Sequence, residues 1–189
     1  MIRAFVGIRL DGRVVRAIAA AIEELKPKLH GIRWVAPEAF HLTLKFLGPI
    51  SEEKIEPISS ALGRSAKLFS RFTINAKGLG VFPETGRPRV LWVGLEARGL
   101  EALASRVESE LEPLGFDREK RSFTPHLTVG RWRRPEGGLA ALRTELERWR
   151  SREFGVSTVE DIVLFQSVLT RSGAVYTPIR IFELNGEVE

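Results

Sequence analysis

Residues 40–48 read FHLTLKFLG, an apolar strand pattern interrupted by a histidine and a threonine. Side chains alternate across a strand, so His41 and Thr43 share one face while Leu42 and Leu44 share the other. Residues 124–131, TPHLTVGR, repeat the arrangement with His126 and Thr128 on one face and Leu127 and Val129 on the other. The two His-Leu-Thr triplets lie close to half a chain length apart, and each sits on an expected strand. A duplicated lobe, in which two sheets face each other and each contributes one polar strand face to a shared cleft, accounts for both copies.

The remaining pattern fits that frame. Residues 2–10 alternate as a strand. Residues 11–29 place Val14, Val15, Ile18, Ile22 and Leu25 at helical spacing. Ser51, followed by Glu52 and Glu53, reads as a helix start, with acids at the positive end of the dipole and the helix running to about Leu68. Leu100, Leu103, Val107 and Leu111 form the stripe of a helix over 99–115, and residues 138–150 form another. Strands are expected in 32–37, 71–83, 89–96, 126–132 and twice or more in 154–184. Strands that often neighbour one another in sequence argue for α+β with mainly antiparallel sheet, bilobal, with helices outside. No Pro-, Gly- or Ser-rich linker divides the chain, so residues 1–189 are expected to form one bilobal domain.

The chain has 189 residues, 43% of them apolar and 28% charged, with a net charge of +5. No run approaches the ~18 apolar residues of a membrane span, and the first residues do not read as a signal peptide. With no cysteine there are neither disulfides nor thiolate ligands, which is compatible with a cytoplasmic setting. The basic balance favours anionic partners, nucleic acid or phosphate above all. Arg118, Lys120, Arg121, Arg131, Arg133 and Arg134 form a basic cluster that can steer such a partner, or equally a solvated loop. His30 lies near an expected helix end and has no triplet.

Two imidazoles and two hydroxyls in one cleft suit in-line displacement at phosphorus. That reaction needs a base on the attacking side and an acid on the leaving side, and histidine serves either role near neutral pH. The hydroxyls can donate to non-bridging phosphate oxygens. Strict alternation puts Lys45 on the His41 face, where it adds positive charge. The same rule puts Arg131 opposite His126 unless a bulge near Gly130 rotates it back. Two histidines without carboxylates at ligand spacing are too few for a metal site, so neither metal nor other cofactor is expected. Phe46, Phe82 and Trp92 are candidates for stacking on a base.

HLTL at 41–44 and HLTV at 126–129, within FHLTLKFLG and FTPHLTVGR, resemble the paired His-x-Thr-x motifs of the two-histidine phosphoesterases. GLGVFP at 78–83, RVLWVGL at 89–95, and LFQSVL followed by Tyr176 extend the likeness to the RNA 2′,3′-cyclic phosphodiesterases, formerly called 2′-5′ RNA ligases. The resemblance implies a bilobal fold and hydrolysis of a terminal 2′,3′-cyclic phosphate to a 2′-phosphate. It makes His41 the proton donor to the departing 3′ oxygen and His126 the proton acceptor that activates water. Thr43 and Thr128 would hold the phosphate, and Arg131 fits the motif's ending. The implied partner is RNA ending in a cyclic phosphate, with tRNA fragments or small cyclic nucleotides as candidates, acted on by a monomer. Joining of the cyclic end to a 5′-hydroxyl, and an RNA-end binding module without turnover, are the alternative readings.

Overall fold

Nine strands among the described residues hydrogen-bond into one curled antiparallel sheet. The computed structural model describes residues 1–132, 138–171 and 173–186, which leaves Arg133 and Arg134 of the basic cluster outside. In chain order the elements are β1 (Ile2–Ile8), α1 (Gly12–Leu25), β2 (Ile32–Trp34), β3 (Leu42–Ile50), α2 (Ile55–Ala66), β4 (Phe72–Phe82) and β5 (Val90–Glu96). They continue with α3 (Leu100–Leu111), β6 (His126–Trp132), α4 (Leu139–Arg148), β7 (Glu153–Val159), β8 (Asp161–Leu169) and β9 (Ala174–Glu183). The strand order is β7-β4-β5-β6-β3-β1-β8-β9, with β2 paired to β6.

That order has a seam at its centre. β7-β4-β5-β6 is one half and β3-β1-β8-β9 the other, so β6 corresponds to β3 and β5 to β1. The two expected sheets are thus the two halves of one sheet. The sequence returns at its end, through β8 and β9, to complete the half that β1 and β3 began. At the seam Leu42 pairs with Leu127, the one recorded backbone pair between the halves among the described residues.

The helices cover the apolar face. The stripes anticipated for α1 and α3 are buried: Val14, Ile18, Ile22 and Leu25 on the first, Leu100, Leu103, Val107 and Leu111 on the second. Each such side chain contributes about 1.5–3 kcal/mol by leaving water. α2 and α3 pack together over β3, β8 and β9, while α1 packs on β7 and α4 on β4. α1 stops at Leu25, just before Pro27, because a proline ring clashes with the preceding turn. α2 starts at Ile55, not at Glu52: Glu52–Lys54 form a single 3-10 turn, and the Ser51 side chain makes no capping hydrogen bond.

Two bulges decide what faces the cleft. Along β1 and β3, Val6 pairs with Lys45 and Gly7 with Thr43, which leaves Leu44 as an extra residue. Along β5 and β6, Leu91 pairs with Gly130 and Trp92 with Thr128, which leaves Val129 as an extra residue. The bulges fall at the same place in the two motifs, one residue after each threonine. An extra residue inverts the alternation beyond it.

Candidate active site

His41 immediately precedes β3 and His126 opens β6. The antiparallel Leu42–Leu127 pair between them directs His41 toward Thr128 and His126 toward Thr43. Each half therefore sets its histidine beside the other half's threonine.

The two imidazoles are held alike. Nδ1 of His41 lies 2.8 Å from the Ala39 carbonyl, and Nδ1 of His126 lies 2.7 Å from the Thr124 carbonyl, both two residues upstream. A carbonyl only accepts, so Nδ1 carries the proton and donates it in each case. That fixes the ring and leaves Nε2 free to exchange a proton. Aromatic rings complete each setting. Phe5 lies 4.6 Å from His41 and Tyr176 meets it edge-on at 4.7 Å. Phe82 meets His126 edge-on at 5.0 Å, with Trp92 at 6.2 Å. Gly7 allows the packing beside His41, since a β-carbon there would come within 2.7 Å of the Leu42 carbonyl oxygen.

Both histidines titrate below their ordinary value. For His41 burial is the main cause, opposed by the bond to Ala39 and reinforced by the positive charges of Arg131 and His126. For His126 burial again leads, opposed by the bond to Thr124 and reinforced by Arg131. The Tyr176 hydroxyl is pushed up by burial, against the pull of Arg131 and Arg3. Arg131 thus acts on all three groups.

The bulge at Val129 turns Arg131 onto the histidine face, where it is exposed. Among the described residues it has no ion pair, and the Thr43 and Thr128 hydroxyls have no hydrogen-bond partner. The bulge at Leu44 does the opposite to Lys45 and corrects its expected position. Lys45 is 8% exposed on the helix side, its Nζ 2.8 Å from Glu108 of α3 and also bonded to the Asp117 carbonyl. Phe46 takes the cleft position instead, 69% exposed with its ring 6.3 Å from Phe5. Gly130 is the counterpart of Lys45, and β2 fills the space a side chain would need: a β-carbon there would meet Ile32 Cγ2 at 2.5 Å.

Of the remaining candidates, Arg118 is bound to Glu112 at 2.9 Å and to the Ser109 hydroxyl, which makes it a clamp on the end of α3. His30 is exposed, and its carbonyl accepts a hydrogen bond from the Trp132 indole. Phe5 and Tyr176 were not singled out for the site from sequence. Gly7, two residues beyond Phe5, was the available signal for a close approach at that edge. Among the described residues no three His, Asp or Glu side chains converge to hold a metal ion, and no helix is long and apolar enough to cross a membrane.

A duplicated, curled antiparallel sheet with one His-x-Thr motif per half defines a phosphoesterase architecture of the two-histidine type. The model of the LigT-like phosphoesterases matches the chain twice, over residues 9–92 and 93–176. The chain belongs to that family. It is 38% identical to an RNA 2′,3′-cyclic phosphodiesterase of Archaeoglobus fulgidus, over 96% of this chain and 99% of that one. It is 36% identical to a protein of the same name from Aquifex aeolicus, over 98% and 99% of the two chains. A Thermus thermophilus crystal structure superposes with a TM-score of 0.83 at 31% identity, covering 99% of this chain and all of that one. E. coli LigT in complex with 3′-AMP gives 0.77 at 27% identity, covering 97% and 98%.

Proposed function

We propose that the chain hydrolyses RNA terminal 2′,3′-cyclic phosphate to a 2′-phosphate, with the two histidines as acid and base and no metal ion. The observation that supports this is the matched pair of Nδ1-to-carbonyl bonds, which leaves both Nε2 atoms free to exchange a proton. The names of the relatives supply the substrate class.

In this reading His126 Nε2 takes a proton from water as its oxygen attacks phosphorus in line with the 3′ oxygen. The P–O3′ bond breaks, and His41 Nε2–H protonates the leaving oxygen. Thr43, Thr128 and Arg131 hold the non-bridging oxygens, where their fixed donors stabilise the developing charge. The lowered titration of both imidazoles suits the base directly. The acid must be protonated, and the bound phosphate anion favours that by offsetting the Arg131 charge beside His41. Both halves are needed, so residues 1–189 act as one bilobal unit. A 5′-hydroxyl in the position of the water would give a 2′-5′ linkage by the same proton transfers.

The test is turnover of adenosine 2′,3′-cyclic phosphate with EDTA present, with the product isomer assigned by phosphorus NMR. Formation of the 2′-phosphate is the expected result. A 3′-phosphate product, or activity lost on chelation and restored by a divalent ion, overturns the reading.

A further inference from the structure

Arg33 of β2 stands directly opposite Arg131 of β6, between the pairs Ile32–Trp132 and Trp34–Gly130. Residues directly opposite on paired strands share a face, and like charges placed so repel. Ile32 and Trp34 turn toward Gly130, at 2.5 and 3.5 Å from the position of a β-carbon there. Arg33 therefore points the other way, onto the cleft face with Arg131. It is exposed, and its Nη2 lies 3.9 Å from where a side chain on Gly173 would begin. Gly173 belongs to the turn between β8 and β9, and β9 carries Tyr176 to His41. Arg33 thus reaches across the rim of the cleft. Among the described residues neither arginine has an ion pair or hydrogen bond to offset the repulsion. A facing guanidinium pair with no counterion of its own suits two successive anions of one bound chain, because guanidinium binds phosphate in a two-pronged, charge-assisted way.

We infer that Arg33 binds the phosphodiester on the 5′ side of the terminal nucleotide, so that the site favours an RNA end over a free cyclic mononucleotide. The inference rests on the cyclic phosphodiesterase reading, with Arg131 at the reacting phosphate. Arg33 is a specificity residue here: it touches substrate one phosphate away from the chemistry.

The experiment measures kcat/KM for adenylyl-(3′→5′)-adenosine 2′,3′-cyclic phosphate and for adenosine 2′,3′-cyclic phosphate, in wild type, Arg33→Ala and Arg33→Lys. The ratio of the two values should fall about tenfold in Arg33→Ala and recover in part in Arg33→Lys, a point charge without the fork. A methylphosphonate in the internal linkage removes the phosphate charge. It should cost wild type a similar factor and cost Arg33→Ala little, the signature of a direct pair. An unchanged ratio in Arg33→Ala, or an equal methylphosphonate penalty in both proteins, overturns the inference. A structural role for Arg33 would instead lower the melting temperature and depress both substrates together; relief of the Arg33–Arg131 repulsion predicts an equal or higher melting temperature. Wild type inactive on both substrates would sink the underlying reading, and this inference with it.

Discussion

Phe46 and Arg131 hold the same place in the two halves of the sheet, three residues beyond Thr43 and Thr128, and both face the cleft because of a bulge just after the threonine. The halves agree in backbone and differ in chemistry: one offers an exposed ring at this point, the other an exposed guanidinium. Both halves set aromatic rings beside their histidine, and at the Phe46 and Arg131 position they part. An aromatic surface on the β3 side and positive charge on the β6 side suit a nucleotide that presents a base to one wall and a phosphate to the other.

Removing Arg131 should act in two ways. Arg131→Ala should lower kcat/KM about 100-fold, through loss of a charged donor to the phosphate. It should also let His41 and His126 titrate at higher pH, because burial remains but one of the charges opposing their protonation is gone. Titration of the two imidazoles by proton NMR, in the free protein, checks the second effect without turnover. No movement toward higher pH on substitution would place the guanidinium elsewhere.

Lys45 should prove a stability residue. It is nearly buried against Glu108, which is itself 17% exposed. Removing one partner of such a pair leaves the other charge desolvated, at a cost of about 3 kcal/mol. Lys45→Ala should lose that much in urea unfolding while kcat/KM, measured below the transition, stays within about threefold of wild type. A loss of activity comparable to that of Arg131→Ala, with stability unchanged, would return Lys45 to the cleft.

Period-two alternation made the shared face readable: grouping His41 with Thr43 and His126 with Thr128 needed only strand geometry and the repeat. It stopped being reliable one residue later. Neither Leu44 nor Val129 announces a bulge, because a bulge is a property of two strands in register and not of one strand's composition. Alternation carried past the bulges puts Lys45 on the His41 face and Arg131 opposite His126, and the bulges reverse both. The helix stripes were legible because 3.6-residue spacing is local. The return of β8 and β9 to the β1–β3 half is a long-range pairing that no local pattern encodes, and with it went the contact of Tyr176 on His41.

Phe46 is spared from the core, and its ring should serve as a stacking surface for the base. Phe46→Ala should raise KM for adenosine 2′,3′-cyclic phosphate about 10-fold with a smaller change in kcat, since base–aromatic stacking contributes ~1–3 kcal/mol per base. Phe46→Tyr should retain most of the affinity. Because the side chain is mostly in water, the melting temperature should barely move. Equal KM values for wild type and Phe46→Ala would take the base off this wall.

The histidines should also set how stability responds to acid. Both titrate lower in the folded chain than their ordinary value near 6.5, mainly because burial disfavours the imidazolium. Between that value and the lower folded one, the unfolded chain binds more protons, so stability rises with pH across this window. Read downward, the contribution is present above about pH 6.5 and is lost as pH falls through the folded values. A His41→Asn, His126→Asn double variant should therefore lose less melting temperature than wild type between pH 7.5 and pH 5. The same substitutions made singly should each cut turnover by about 10²–10⁴-fold, as removal of a general acid or base does. If the double variant and wild type lose stability in parallel across this window, the imidazoles are not buried as neutral rings, and the resting base assigned to His126 falls with them.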